Sequence, residues 1–193
     1  MPKRNLQQPK PENFLWIEGL KTVGLSLFLA FGIRANVAQS FFIPSGSMEP
    51  TLEVDDRLMV DKLSYRFQAP QRGDIVVFQP PPAAISACGL PSNSHDSFIK
   101  RIVGLPGERV AVTAGQVYIN DRPLAESYIA SKPDYERSVR VIPPNSYLVL
   151  GDNRNNSCDG HEWGFVKRDR IIGKAIVRFY PFDRIGIFTR DRS

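Results

Sequence analysis

The chain has 193 residues, which is enough for one well-buried domain and a short additional segment. Hydrophobic residues make up 42% of it and charged residues 23%, so the composition is globular and excludes a largely disordered chain. The net charge of +5 indicates an anionic partner. Because the arginines are dispersed and no aromatic-basic pattern repeats, we expect no nucleic acid and favour a membrane surface.

An apolar run near the N-terminus predicts a membrane anchor. Residues 22–33 carry no charge and are flanked by Lys21 and Arg34, and apolar residues continue on both sides. The run alone is shorter than the roughly 20 residues that cross a bilayer, but residues 14–38 together are long enough. A cleaved secretory signal and a buried helix are the alternatives. The run lacks an A-x-A cleavage motif, so we expect 14–38 to be a single uncleaved transmembrane helix.

The charges before this run predict its orientation. Lys3, Arg4 and Lys10 lie in the tail, residues 1–13, which the positive-inside rule places in the cytoplasm. Residues 39–193 then form an extracytoplasmic domain.

Alternating apolar residues and frequent turn residues predict that this domain is mainly β. The predicted strands are 57–63, 75–78, 98–103, 109–113, 116–120, 146–150, 171–180 and 185–188. Two segments, 79–97 and 121–140, are polar or rich in Pro, Ser and Ala and are predicted to be surface loops. The expected fold class is therefore an antiparallel β-sheet domain preceded by one N-terminal transmembrane helix.

The two cysteines, Cys88 and Cys158, lack the spacing of metal ligands and are too few for a disulfide framework. The sequence leaves open whether they pair. No GxGxxG or Walker pattern is present, and we expect neither a metal nor a cofactor.

A turn of small residues follows the apolar run and is a candidate source of a nucleophile. Ser45 and Ser47 flank a glycine, with Pro44 before them and Pro50 after them. Proline restricts the backbone and glycine permits close approach, so one hydroxyl can act as a nucleophile beside a second hydroxyl or an N–H that binds an oxyanion. A plain loop without chemistry is the alternative for an isolated motif.

A serine nucleophile needs a base, and three side chains are candidates. His95 lies in a loop of small polar residues, where a solvated side chain is expected, and His161 lies in a polar turn. Lys100 lies in the β-prone run FIKRIV. Burial lowers the pKa of a lysine from about 10.4 toward neutrality, and the neutral amine can accept a serine proton. A solvated strand lysine is the alternative.

A dense polar turn, residues 151–166, follows the predicted strand 146–150. Asn and Asp side chains often hydrogen-bond to their own backbone, so the turn could be no more than a well-bonded corner. In a catalytic setting its polar groups orient the base.

Taken in order, the segments PSGSMEPTL, RGDIVVF, FIKRIVGLPGE and GDNRNNSCDGHEWGFV resemble the boxes of bacterial type I signal peptidases. The resemblance spans nearly the whole chain. It implies a membrane-anchored Ser-Lys serine endopeptidase with the β fold of signal peptidases and SOS-repressor proteases. Its partners would be preproteins bearing signal peptides and the lipid bilayer of a plasma or thylakoid membrane. The expected reaction is cleavage after a small-x-small motif through an acyl-enzyme; the oligomeric state is not indicated.

The resemblance also implies a role for individual residues. Ser47 is the expected nucleophile and Lys100 the general base, and Ser45 and the Ser47 N–H are the expected oxyanion donors. The expected supporting residues are Ser157, Asp152, Asn153, Arg154 and Asp159. The expected substrate-binding residues are Ile43, Pro44, Met48, Leu52, Phe98 and Ile99.

The supporting turn departs from the family pattern at two positions, Asn155 and His161, where family members often carry aspartate and arginine. Three other functions compete with signal-peptide cleavage. They are a self-cleaving Ser-Lys regulator, a catalytically silent membrane-tethered binding domain, and a hydrolase whose base is His161.

Overall fold

A computed structural model describes residues 12–94 and 96–189. The chain divides between Val37 and Ala38 into two compact units. The first contains helix α1 (Glu12–Asn36), and its side chains from Trp16 to Leu29 are exposed. Among the residues that the structure describes, none of the helices combines the length and the apolar character that crossing a bilayer requires. The assignment of 14–38 as a membrane span stays a prediction, and the tail 1–13 falls almost wholly outside the described residues.

The second unit contains two antiparallel sheets, which confirms the predicted mainly β fold. Its strands are β1 (Ala38–Phe42), β2 (Arg57–Asp61), β3 (Ile75–Phe78), β4 (Phe98–Gly104), β5 (Arg109–Thr113), β6 (Gln116–Ile119), β7 (Arg122–Pro123), β8 (Arg137–Val141), β9 (Ser146–Leu150), β10 (Val166–Lys167), β11 (Ile171–Tyr180) and β12 (Gly186–Ile187). The larger sheet has the order β1-β2-β11-β3-β4-β9-β10, with β12 paired to β11. The smaller sheet has the order β7-β6-β5-β8.

The strands with the clearest sequence patterns lie where the patterns predict them. Strand β3 is buried along its whole length, as its continuous apolar run indicates. Ala114 and Gly115 both adopt positive φ between β5 and β6. This is the backbone conformation of a two-residue hairpin turn whose twist matches that of the strands.

The two predicted loops contain regular elements that the sequence patterns missed. Helix α3 (Pro82–Ala87) lies within 79–97, and it begins with proline at a position where the missing N–H costs nothing. Strand β7 lies within 121–140, and β8 begins there at Arg137 and ends at Val141. Val139 and Val141 are its only apolar residues, and two alternating positions among polar neighbours were too few to predict a strand. Two further short helices are α2 (Ser64–Phe67) and α4 (Gly160–Trp163).

A buried cluster fixes the turn between β1 and β2 against the larger sheet. Met48 and Leu52 lie in this cluster with Ile43, and all three are almost fully excluded from solvent. Burying a side chain of this size contributes roughly 1.5–3 kcal/mol. The residue between these anchors, Ser47, is thereby held beside β4.

Candidate active site

The turn that carries Ser47 is a short 3₁₀ helix, Gly46–Met48. Ser45 precedes it in an extended conformation, with φ −142° and ψ 154°. The backbone N–H of Leu52 donates to the Met48 carbonyl at 3.0 Å, which continues the tight winding. The nucleophile candidate therefore lies on a rigid turn whose apolar side chains are anchored in the core.

Lys100 projects from the middle of β4 toward this turn. Its Nζ donates a hydrogen bond to the Ser47 Oγ at 2.6 Å, and its side chain is only 5% exposed. Burial lowers the pKa of Lys100 to about 8, although the negative charges of Asp159 and Asp152 partly offset this effect. A substantial fraction of the amine is therefore neutral near pH 8, and the same short separation lets the serine hydroxyl donate to it.

The second serine of the motif is close to the first. The Ser45 Oγ donates to the Ser47 Oγ at 3.4 Å, and Ser45 is exposed whereas Ser47 is buried. The role of Ser45 as an oxyanion donor stays a prediction.

The polar turn after β9 is hydrogen-bonded to the turn that carries Ser47. The Asn153 N–H donates to the Ser47 carbonyl at 3.2 Å, and the Asn153 amide donates to the Gly46 carbonyl at 3.0 Å. Gly151 lies between the Ser47 carbonyl and the Ser157 side chain, so closely that a Cβ would overlap both. These contacts bring the first and last boxes of the sequence together.

Asp152 links this turn to the strand that carries the base. Its carboxylate accepts hydrogen bonds from Arg101 Nε at 2.8 Å and Nη2 at 2.6 Å, and both side chains are buried. Thr51 also donates to Asp152, at 2.5 Å. Arg101 directly follows Lys100, so the ion pair holds β4 and the polar turn in one register.

Arg154 and Asp159 hold the rest of the polar turn. The buried Arg154 guanidinium donates from Nε to the Gly151 carbonyl at 3.0 Å and forms an ion pair with Glu126. The buried Asp159 carboxylate accepts from the Gly151 N–H at 2.8 Å and from the His161 N–H at 3.0 Å. Each of these side chains thus bonds to the backbone of the turn that contacts Ser47.

Ser157 lies at the site, but its predicted bond to Lys100 is not formed. Among the described residues its buried Oγ has no hydrogen-bond partner. Its side chain packs against Gly151 instead. The role of Ser157 in orienting Lys100 stays a prediction.

The six predicted substrate-binding residues divide into two groups. Ile43, Met48 and Leu52 are buried in the core cluster beneath the turn. Pro44 is exposed, and Phe98 and Ile99 are half-buried at the start of β4. Only the second group offers open surface in this structure, so contact between substrate and the first three side chains stays a prediction.

His161 contacts Asp159 and Tyr135 in the structure, not Ser47. Its Nδ1 lies 2.8 Å from the Asp159 carboxylate, and its ring stacks on Tyr135 with 4.0 Å between the ring centroids. The other histidine, His95, lies outside the described residues. The hydroxyl of Ser47 bonds to a lysine, which favours the Ser-Lys interpretation of the motif.

A disulfide joins Cys88 to Cys158, which answers a question that the sequence left open. It connects the end of α3 to the polar turn, next to Ser157 and Asp159. The sequence separation of 70 residues explains why no local pattern indicated the pair.

Sequence reasoning also missed several residues that hold the site together. Glu126 and Tyr128 reach it from the predicted surface loop, and Thr51 and Arg101 lie within the recognised motifs but were given no role. No periodicity or spacing marks such contacts, because their partners are tens of residues away along the chain.

Comparison with known proteins agrees with the four sequence boxes. The family model described as "Signal peptidase, peptidase S26" matches residues 16–180. The chain is 56% identical over 179 residues to "Signal peptidase I" of Leptolyngbya laminosa, an alignment that covers 93% of this chain and 86% of that relative. It is 51% identical over 185 residues to "Probable signal peptidase I-2" of Synechocystis sp., covering 96% of this chain and 82% of the relative.

A more distant similarity extends to plants. The chain is 36% identical over 169 residues to "Thylakoidal processing peptidase 1, chloroplastic" of Arabidopsis thaliana, covering 88% of this chain and 50% of that protein. The family model matches most of this chain, and the alignments to the two signal peptidases I cover most of those proteins. Both findings lead to one assignment. The chain belongs to the signal peptidase family, peptidase S26, and is a serine endopeptidase of that family.

Proposed function

We propose that this protein removes signal peptides from exported proteins, with Ser47 as the nucleophile and Lys100 as its general base. The observation that carries the proposal is the 2.6 Å separation between Lys100 Nζ and Ser47 Oγ in a buried setting. A lysine whose pKa lies near 8 can be neutral at working pH without a histidine to assist it.

The first half of the reaction forms an acyl-enzyme. Neutral Lys100 accepts the Ser47 proton as Oγ bonds to the carbonyl carbon of the scissile peptide, and the carbonyl electron pair moves onto oxygen. When the tetrahedral species collapses, its C–N bond breaks and the leaving amine takes the proton from Lys100. The mature protein departs, and the signal peptide remains as an ester on Ser47.

The second half hydrolyses this ester. Lys100, neutral again, accepts a proton from water as the water oxygen bonds to the ester carbonyl. Collapse of the second tetrahedral species returns the proton to Ser47 and releases the signal peptide as an acid. Lys100 thus serves in both halves and is regenerated.

The oxyanion formed in both halves needs hydrogen-bond donors that are already in place. The Ser47 N–H and the Ser45 hydroxyl are the proposed donors, supported by the 3.4 Å contact between the two serine oxygens. Removing one such donor typically costs about 2.7–4 kcal/mol of transition-state stabilisation. Ser45→Ala is therefore expected to lower kcat strongly while leaving the nucleophile and base intact.

Cleavage after a small-x-small motif is the proposed specificity. Pro44 is exposed, Phe98 and Ile99 directly precede Lys100 and are half-buried, and Ile99 packs against the core cluster beneath the turn. A shallow apolar surface backed by close-packed side chains excludes large groups by steric overlap. Small side chains at −1 and −3 of the cleavage site fit such a surface.

Membrane anchoring by α1 is also part of the proposal. The apolar side chains described between Trp16 and Leu29 are exposed on all sides of the helix. A helix that is apolar around its whole circumference requires an apolar environment. The proposed topology has a cytoplasmic tail, a single span and an extracytoplasmic peptidase domain, in a plasma or thylakoid membrane. The disulfide supports an oxidising compartment for that domain.

The test of this function is incubation of the detergent-solubilised protein with a preprotein, with the cleavage position mapped by mass spectrometry. Cleavage after a small-x-small triplet is expected. Ser47→Ala and Lys100→Ala should each abolish it while the circular dichroism spectrum stays unchanged. Substantial activity in Lys100→Ala would overturn the proposed base.

The same assay separates the competing functions. A silent binding domain leaves the preprotein intact, and a self-cleaving regulator cuts its own chain instead. A hydrolase that depends on His161 loses all activity in His161→Ala, whereas the Ser-Lys mechanism retains the nucleophile and the base in that variant.

A further inference from the structure

The segment between β7 and β8, residues 124–136, leaves the smaller sheet and contacts the polar turn of the active site. Its first contact is made by Glu126, whose carboxylate accepts hydrogen bonds from both terminal nitrogens of Arg154, at 2.8 Å from Nη1 and also from Nη2. Both side chains are almost fully buried. Paired, charge-assisted bonds of this kind fix geometry as well as contributing energy.

The second contact of the 124–136 segment involves Asn155. Its side-chain oxygen accepts from the Asp134 N–H at 2.9 Å, and its amide group donates to the Lys132 carbonyl at 3.0 Å. An ionised carboxylate accepts hydrogen bonds but cannot donate one. Asn155 makes one bond as an acceptor and one as a donor, so an aspartate could not replace both.

The third contact is the stack of Tyr135 on His161. Asn155 and His161, two residues of the polar turn, therefore both contact this segment.

Tyr128 occupies the centre of this interface. Its ring lies 4.0 Å from the Arg101 guanidinium carbon and 5.9 Å from that of Arg154. Its hydroxyl donates to Glu126 at 2.7 Å. Burial, reinforced by the charge of Glu126, raises the pKa of Tyr128, so the phenol remains a donor throughout the working range.

The contact with Arg101 connects this ring to the catalytic base. Arg101 follows Lys100 on β4 and holds the buried Asp152 carboxylate through two hydrogen bonds. The charge of Asp152 in turn raises the pKa of Lys100. A guanidinium over an aromatic face is attracted by about 0.5–2 kcal/mol, so Tyr128 favours the orientation in which Arg101 neutralises Asp152.

We infer that Tyr128 is a positioning residue for the Ser47–Lys100 dyad, acting through Arg101 and Asp152, and that the 124–136 segment serves to hold it there. The inference rests on the proposed function, because the dyad is what the residue positions.

The experiment compares two substitutions of Tyr128 with a matched substitution of a tyrosine in the smaller sheet. Tyr128→Leu removes the ring from the Arg101 guanidinium, whereas Tyr128→Phe keeps the ring and loses only the bond to Glu126. Tyr118→Leu, on β6, is the control, because Tyr118 is also half-buried. The measured quantities are kcat, KM and the pH profile of kcat/KM for preprotein cleavage.

For Tyr128→Leu we expect kcat to fall roughly tenfold with KM unchanged, an effect of about 1.4 kcal/mol. The acidic limb of its profile should move to higher pH, because Asp152 is less fully neutralised and favours the charged form of Lys100. Tyr128→Phe should keep the wild-type profile, and Tyr118→Leu should keep both kcat and profile. The inference would be overturned if the acidic limb of the Tyr128→Leu profile stays at its wild-type pH, or if Tyr118→Leu loses as much kcat.

Asn155→Ala keeps the inference testable if Tyr128→Leu does not fold. Asn155 is exposed, and its removal detaches the segment at the second contact only. For Asn155→Ala we expect a severalfold loss of kcat, and the acidic limb of the kcat/KM profile should move to higher pH as in Tyr128→Leu. A wild-type pH profile would count against the inference. If Lys100→Ala retains cleavage, the proposed function fails; if Lys100→Ala is inactive and the Tyr128 and Asn155 variants behave as wild type, only this inference fails.

Discussion

Arg101 and Asp152 form a buried ion pair with two hydrogen bonds, of 2.8 and 2.6 Å, that joins β4, the strand of Lys100, to the polar turn. Arg101 Nη1 also donates to the Gly73 carbonyl at 3.1 Å. Because Thr51 also donates to Asp152, the pair contacts all four sequence boxes.

Removing one member of this pair should be much more harmful than removing both. Arg101→Met leaves the Asp152 charge buried without its partner, and a loss of about 3–5 kcal/mol in the free energy of unfolding is expected. The double variant Arg101→Met/Asp152→Asn should recover much of that loss. Urea unfolding followed by circular dichroism measures both, and a single variant within 1 kcal/mol of wild type would contradict the prediction.

The pH dependence of cleavage should follow the ionisation of Lys100. Because its pKa is about 8 in the folded protein, kcat/KM is expected to rise with pH and to reach half its plateau near pH 8. Preprotein cleavage measured from pH 6 to pH 10 provides the profile. A half-point close to 10, the ordinary range of a lysine, would mean that the amine is not desolvated as the structure indicates.

The same ionisation predicts how stability varies with pH. Lysine in the unfolded chain has a pKa near 10.5, so between pH 8 and 10.5 the unfolded chain binds a proton that the folded protein does not. The contribution of Lys100 to the free energy of unfolding therefore increases as the pH rises from 8 to 10.5. It reaches its full value above pH 10.5 and is lost as the pH falls back to 8. The variant Lys100→Met should lack this increase when urea midpoints are compared across the window.

The disulfide between Cys88 and Cys158 should stabilise the polar turn and the activity that depends on it. Closing a loop of this length typically stabilises a protein by about 2–4 kcal/mol. We expect reductant to lower the thermal midpoint and the specific activity of the wild-type protein together.

A matched variant tests the specificity of that effect. In Cys88→Ser/Cys158→Ser the midpoint should already be low and should not respond to reductant. Equal responses of the two proteins to reductant would show that the disulfide is not responsible.

Gly151 should not tolerate a side chain. In Gly151→Ala the added methyl group overlaps the Ser47 carbonyl and the Ser157 side chain, so the nucleophile turn must move. A loss of kcat of at least a hundredfold is expected. Gly173→Ala is the control, because its Cβ meets the Asp61 backbone at a distance from the dyad. Gly173→Ala should lower the thermal midpoint but leave kcat per folded molecule near the wild-type value. Similar losses of kcat in Gly151→Ala and Gly173→Ala would contradict a local effect at Ser47.

Several features of the protein were evident from residue order alone. The alternation in β2, the continuous apolar run of β3 and the hairpin turn at Ala114 and Gly115 each predict local structure, because strand and turn geometry depend on neighbours in sequence. Ser47 and Lys100 were singled out from motifs with strong local character, and the structure brings these two side chains into contact.

The tertiary structure decided what those residues meet. Strand β8 was missed because only Val139 and Val141 are apolar in it, and the partners of Arg154 and Asn155 lie on a segment that looks like an ordinary loop in sequence. Whether Cys88 reaches Cys158 was equally beyond the sequence. Such contacts join residues that are distant along the chain, and only the packing of the two sheets determines their distance, burial and electrostatic environment.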